Sequence, residues 1–309
     1  MAGPHDPPTV ACLGLATVDM VQYVDAVPAP NQKVWALDAA YDLGGPAANA
    51  AATAAALDVR ARLITMIGQE PLGRLLAGQV AGTGVELVDL AGPGFSPPLS
   101  TVLVERGSGN RAVVSVNARW AGQPELPTAK VFDGVHAALF DGHLMGPGLE
   151  FAAACADLEI PLVFDGGSWK PGTPATLSMT TLALVSADFV VPDLGPEAPP
   201  HQVLGWLRDA GADWAGVTQG EGPVVVSLAD GQVIELPVAP VPPAQMVDSL
   251  GAGDVIHGAV VASLAKARAA GAELDDEVVV GAIGHGIEVA RRSLLYQGAR
   301  GWTRVQPSG

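Results

Sequence analysis

Asp248-Ser-Leu-Gly-Ala-Gly-Asp254 runs directly into Val255-Ile-His-Gly-Ala-Val-Val-Ala-Ser-Leu-Ala265, so a glycine-spaced turn feeds a helix of small and branched apolar residues. Gly251 and Gly253 carry no Cβ, which lets the backbone come close to a ligand. The first amides of a helix have no carbonyl partners, so this end is a ready anion site. Asp254 falls in the first turn, where the helix dipole favours its ionised form. An anion pocket beside a carboxylate suits phosphoryl transfer, with amides holding the moving group and the carboxylate taking a hydroxyl proton. An aspartate at a helix start is also the ordinary helix cap, and the short string alone does not separate the two. It is not a dinucleotide fingerprint, because the glycine after Gly253 is Gly258, too late for G-x-G-x-x-G.

Upstream of this stretch, strands and helices alternate from about residue 130. Strands are expected near 136–140, 161–165, 188–191 and 213–218, with helices near 147–157 and 199–210. A hairpin follows over 224–228 and 232–237, and helices near 253–270 and 275–293 close the chain. Such alternation predicts a parallel sheet covered on both faces. The first hundred residues read differently. A buried strand over 9–15 leads to a more exposed one over 21–24, then a proline turn at Pro28 and Pro30, then a strand over 33–37. Pro46 opens an alanine-rich helix to Leu57, followed by a strand over 61–67 and a helix from Pro71 to Ala81. Residues 99–105 and 111–117 form a second hairpin. The early strands and this hairpin predict a small β-sheet lid, from about 20–40 and 98–117. The expectation is one three-layer α/β/α domain over 1–309, with a mostly parallel central sheet.

The 309 residues are 49% hydrophobic and 16% charged, enough apolar material for a large core. Sixteen Lys+Arg against 32 Asp+Glu give a net charge of −16, which argues against nucleic acid or an acidic membrane as partner. Cys12 and Cys155 lie far apart in apolar surroundings, as reduced thiols of a cytoplasmic protein do. Neither a secretory signal nor an apolar run of membrane-spanning length is legible.

Val247 to Gly258 resembles the C-terminal signature of the ribokinase-like (PfkB) sugar kinases, with Leu250 where that family usually has threonine. The family's first signature, Gly-Gly-x-x-x-Asn, is matched by Gly44, Gly45 and Asn49, and the likeness covers nearly the whole chain. Within the family, the chain looks most like sulfofructose and other ketose kinases. The resemblance implies that Asp254 is the catalytic base and that the backbone of Gly251, Ala252 and Gly253 is the anion hole. It implies that Asp19 binds sugar hydroxyls, a natural task for a carboxylate facing a polyol. Lys33 would meet an anionic tail of the acceptor, with Asn117 and His143 lining the same end. His143 stands where related sulfosugar kinases look to have arginine.

Asp165-Gly-Gly-Ser-Trp-Lys170 resembles the family's Asp-x-Asn stretch, with Gly167 replacing asparagine. The family's Asn-x-x-Glu has no match in Val191-Pro-Asp-Leu-Gly-Pro-Glu197, so Asp193 or Glu197 would hold Mg²⁺ through water. Val217 to Gly222 resembles the family's Thr-x-Gly nucleotide loop, which implies that Thr218 and Gly220 face ATP. Asp248 would help bind a monovalent cation such as K⁺, or would cap the turn. His136, His257 and His285 lack metal-site spacing and read as core or surface residues.

No G-x-x-x-x-G-K-[ST] loop and no G-x-S-x-G elbow occur. The reading is an ATP-dependent kinase acting on a hydroxyl of a small ketose or acidic sugar, with a homodimer paired through the lid. A nucleoside kinase on the same scaffold, or a catalytically silent sugar-binding regulator, are the alternatives.

Overall fold

Thr9–Leu13 is buried at every position, as a strand flanked on both sides and covered on both faces must be. The structure, a computed structural model, describes residues 7–106, 111–116 and 124–304. Its strands are β1 (Thr9–Leu13), β2 (Thr17–Val24), β3 (Asp38–Gly44), β4 (Arg60–Thr65), β5 (Glu86–Asp89), β6 (Leu99–Glu105) and β7 (Arg111–Ser115). There follow β8 (Ala137–Phe140), β9 (Leu162–Gly166), β10 (Leu182–Ser186), β11 (Trp214–Thr218), β12 (Val224–Ser227) and β13 (Val233–Leu236). The helices are α1 (Pro46–Ala56), α2 (Pro71–Ala81), α3 (Thr128–Val131), α4 (Met145–Asp157), α5 (Thr173–Leu177), α6 (Pro200–Asp209), α7 (Ala252–Ala269) and α8 (Asp276–Ser293).

Nine strands make one sheet in the order β13-β12-β11-β10-β9-β8-β1-β4-β5. All neighbours from β11 to β5 are parallel, and β12 and β13 add an antiparallel edge. Alternate residues of each strand feed two cores. Val10, Cys12, Leu63, Leu139 and Leu184 pack under α1, α2, α7 and α8. Leu13, Ile64, Phe140, Phe164 and Val185 pack under α4, α5 and α6. These are the three layers that the alternation predicts. The order reverses at β1, whose neighbours β4 and β8 lead away in opposite directions. Ligands of open α/β sheets bind at such a point, beyond the carboxyl ends of the strands.

The second sheet runs β3-β2-β6-β7, with β2 and β6 parallel and the outer pairs antiparallel. It is the expected lid, and two expected strands, one here and one in the central sheet, are corrected. Residues 33–37 are not a strand; they lie in the exposed loop between β2 and β3, and pairing with β2 begins at Asp38 opposite Tyr23. Asn31, at φ 64°, turns the chain after the prolines and delays the ladder. Likewise residues 188–191 are not a strand. The preceding run Leu182–Ser186 pairs with both β9 and β11, leaving no slot for a second. Among the described residues, no helix is long and apolar enough to cross a membrane.

Candidate active site

Gly251 adopts φ 73° and caps α7, a left-handed conformation that glycine tolerates best. A Cβ there would stand 2.4 Å from the Ala299 Cβ, so the turn is pressed against the segment after α8. At Gly253 a Cβ would meet nothing within 4 Å. Val255 N–H is bonded to Gly251 O. The amides of Gly253 and Asp254 have no backbone acceptor among the described residues. Asp248 braces the turn, accepting from Leu250 N–H at 2.8 Å and Gly298 N–H at 2.9 Å. It therefore caps the turn, one of the two roles read from the sequence.

Asp254 is partly buried and accepts a 2.7 Å hydrogen bond from Asn49 Nδ2. Burial, then the charge of Asp165, push its carboxyl up to about 7, against the pull of Asn49 and His257. The two signatures thus meet across the site: α1 delivers Asn49 to the residue that opens α7. Gly45, at φ 98°, makes the entry into α1 possible, since a Cβ there would strike Leu15 O at 2.3 Å.

Asp19 projects from β2 beside Gly44, where a Cβ would fall 2.0 Å from its Oδ2. Thr17 Oγ1 donates to Asp19 Oδ1 at 2.6 Å. Burial raises the Asp19 carboxyl, partly offset by the hydroxyls of Thr17 and Ser100. The lid reaches the turn before α7 directly, through Arg111 Nη1 donating to Ser249 Oγ at 3.1 Å.

Behind Asp254 lies a buried polar network. Asp165 Oδ2 sits 3.5 Å from His257 Nδ1 and has no hydrogen-bond partner. His257 places Nδ1 2.8 Å from Gly253 O and Nε2 2.9 Å from Leu184 O. It is a core residue, as the sequence reading has it, yet it also ties α7 to the central sheet. Asp141, just past β8, faces β1 at the switch point: a Cβ on Gly14 would overlap its carboxyl group at 2.1 Å. Its Oδ2 accepts from Leu15 N–H at 2.8 Å and Ala47 N–H at 3.1 Å, and its Oδ1 accepts from His143 N–H at 2.9 Å. Burial alone would raise this carboxyl, but the His143 charge and these donors hold it below its ordinary value. His143 itself stands with Nδ1 3.3 Å from Asp141 Oδ1.

The remaining expected residues are more scattered. Lys33 is exposed on its loop, with Nζ 5.4 Å from the Trp35 ring centroid. Asn117 lies outside the described residues. Asp193 is exposed, and Glu197 lines a cavity of about 240 Å³ with Ser186, Val217 and Gln219 at the ends of β10 and β11. Thr218 bonds weakly to Val185 O at 3.4 Å, and Gly220 turns the chain at φ 61°. No group of three or more His, Cys, Asp or Glu able to hold a metal occurs among the described residues.

Two residues of this site escape the sequence reading. Asp141 carries the same signal as Asp19, an aspartate just past an apolar strand, and that signal could have found it. Arg300 has no such mark. It is 4% exposed, and its Nη1 donates to Asn49 Oδ1 at 3.1 Å and to Leu43 O, while Nη2 donates to Asp42 Oδ1.

Comparison with known proteins bears on the family and the fold. A family model described as pfkB family carbohydrate kinase matches residues 8–284. Ribokinase from Giardia lamblia superposes with a TM-score of 0.79 at 14% identity, covering 95% of this chain and 96% of that one. Arabidopsis thaliana ribokinase complexed with ribose and ATP gives 0.74 at 17% identity, over 99% and 100%. Anopheles gambiae adenosine kinase, bound to a di-adenosine tetraphosphate, gives 0.76 at 18% identity, again over 99% and 100%. At these identities the likeness speaks for the fold.

Proposed function

Because the chain belongs to the pfkB family of carbohydrate kinases, and so is a phosphotransferase, we propose that it moves the γ-phosphoryl group of ATP to a hydroxyl of a small sugar. The acceptor class we infer from the family resemblance is a ketose or an acidic, phosphorylated or sulfonated sugar. The observation that carries this reading is the pairing, at one helix mouth, of open amides with a carboxyl held near 7.

In this scheme Asp19, Gly45 and Asn49 orient the acceptor under the lid. Asp254 takes its proton as the oxygen attacks phosphorus, and the amides of Gly251 and Gly253 hold the charge that develops on the phosphoryl oxygens. The Ala252 amide is directed instead to Ser249 O at 3.4 Å. The lid, already joined to the turn through Arg111 and Ser249, keeps water from competing with the sugar. The donor set suits magnesium carried in on the nucleotide, because exposed Asp193 and Glu197 can hold it through water without a protein cage. That ion would neutralise phosphate charge. Thr218 and Gly220 would face the nucleotide, and Lys33 and His143 an anionic tail. A monovalent cation beside Asp248 would use lone pairs that its two amide donors leave free. The two free, buried cysteines support a reducing compartment, and the edge strands β3 and β7 support lid-to-lid pairing of two copies.

The test is ADP formation in a coupled assay across ketoses, aldoses, their phosphate and sulfonate derivatives, and ribose nucleosides. Sugar-dependent turnover supports the reading. Turnover with nucleosides alone, or none at all, refutes it.

Two outcomes follow from the geometry. A base must be ionised to work, so kcat/KM should fall along an acid limb with a midpoint near pH 7, where Asp254 gains its proton. A pH–rate profile flat down to pH 5 would exclude Asp254 as the base. Separately, Gly44→Ala forces the Asp19 carboxylate aside. It should raise KM for the sugar by about tenfold or more, the effect of losing one charged hydrogen bond. KM for ATP should be unchanged, and initial-rate kinetics with both substrates checks the split.

A further inference from the structure

We propose that Arg300 is a positioning residue for the base: it fixes which end of the Asn49 amide faces Asp254, and it ties that base to lid strand β3. The inference rests on the kinase reading above and adds a residue to it.

A primary amide can present either its oxygen or its NH2 group to a neighbour, and the two ends are nearly the same in shape. Guanidinium is donor-only, so Arg300 Nη1, 3.1 Å from Asn49 Oδ1, admits only the oxygen on its side. The NH2 group is thereby turned to Asp254 Oδ2, at 2.7 Å. A donor facing a carboxylate favours its charged form; an amide oxygen there would favour the protonated form, whose hydrogen it would accept. Arg300 therefore decides whether Asn49 helps or hinders ionisation of the base.

Asn49 is the donor set against unfavourable surroundings. The other groups facing Asp254 are Asp165 after β9, Asp141 after β8, and His257 on its own helix. Two of these three are acidic, and burial opposes the charge as well. The groups facing Arg300 are Asp42 on β3, Asp19 on β2 and Arg304.

The second half of the inference concerns the lid. Arg300 Nη2 donates to Asp42 Oδ1, and Asp42 stands directly opposite Asp19 in the β2–β3 ladder. Its Nη1 also donates to Leu43 O, two residues before the Gly45 entry to α1. One guanidinium thus holds the strand beside the sugar-binding carboxylate and the amide beside the base. Lys could not replace it fully, because a single ammonium lacks the forked geometry that spans Asp42 and Asn49.

The experiment compares the wild-type protein with Arg300→Met, Arg300→Lys and Asn49→Leu. It measures pH–rate profiles together with the ¹³C titration of labelled aspartate carboxyls, the Asp254 signal being assigned by its absence in Asp254→Asn. In Arg300→Met the amide is free to turn over. The acid limb and the Asp254 titration should both move up by about one pH unit, lowering kcat/KM about fivefold at pH 7 and restoring it near pH 9. Arg300→Lys should bring both midpoints back toward wild type. A merely structural arginine would lower activity at every pH without moving either midpoint.

A folded Arg300→Met with both midpoints unmoved overturns the proposal. Should that variant fail to fold, Asn49→Leu decides: it removes the donor itself, and an unmoved Asp254 titration there is equally fatal. The carboxyl titration needs no turnover. If the wild-type protein phosphorylates no sugar, the kinase reading fails while the role of Arg300 is still measured.

Discussion

Replacing Asp254 by asparagine lowers kcat by about 10²–10⁴-fold, the usual contribution of a positioned general base, while ATP binding and the fold survive. Asparagine keeps the shape of the side chain and the Asn49 contact, but it cannot take a proton. The same variant should be the more stable protein at alkaline pH. The Asp254 carboxyl is raised to about 7 in the folded state, above its unfolded value. Between about pH 4 and pH 7, the folded chain therefore holds a proton that the unfolded chain has released, and stability falls as pH rises through that window. Above it the whole penalty is present. Asparagine has no such penalty, so melting should rise by about 2–4 °C at pH 8 and change little at pH 4. A variant that keeps near-normal turnover, or that melts lower at pH 8 than at pH 4 relative to wild type, contradicts the assignment.

Asp141→Ala is expected to be the most damaging single substitution for the fold near the site. The carboxylate accepts from the amides of Leu15, Ala47 and His143, and it fills the space that Gly14 leaves open. Alanine would strand those donors and open a cavity at the switch point of the sheet. The cost should be about 3–5 kcal/mol, comparable to breaking a buried charged pair, or roughly 5–8 °C in melting temperature. The carboxyl is held below its ordinary value in the folded state, so its stabilisation is full above the unfolded value near 4. It fades as pH falls through the folded value. The gap between wild type and variant in urea denaturation should accordingly shrink from pH 6 toward pH 2. A variant within about 0.5 kcal/mol of wild type at pH 7 would show that the three amides find other partners.

These two aspartates mark what the sequence makes legible. Asp254 sits in a motif whose glycines, helix start and apolar continuation are all local, so its position could be read directly. Asn49 likewise follows from Gly44, Gly45 and Pro46. Helix α2 begins at Pro71 and ends at Ala81, as read, because proline at the first position and an apolar stripe are local signals.

Strand positions were less legible where two apolar runs compete. Leu182–Ser186 and the run at 188–191 look alike in composition, and only the sheet decides which one is paired. The lid strand Asp38–Gly44 has little β propensity of its own and exists because β2 offers it a ladder. Asp141 and Arg300 act across 126 and 251 residues of chain, to Leu15 and Asn49. Partners so distant leave no periodicity or spacing to read.

The parallel pairing of β2 with β6 has a consequence for how this protein can be built. Between β3 and β6 the chain leaves the lid and lays down α1, β4, α2 and β5 before it returns. The cover is therefore stitched from two separate lengths of polypeptide, 17–44 and 99–115, paired to each other but covalently joined only through the body beneath. It cannot be cut out as a cassette, grafted as one insert, or assembled ahead of its foundation. Any transplant of this cover onto another body must move both lengths together.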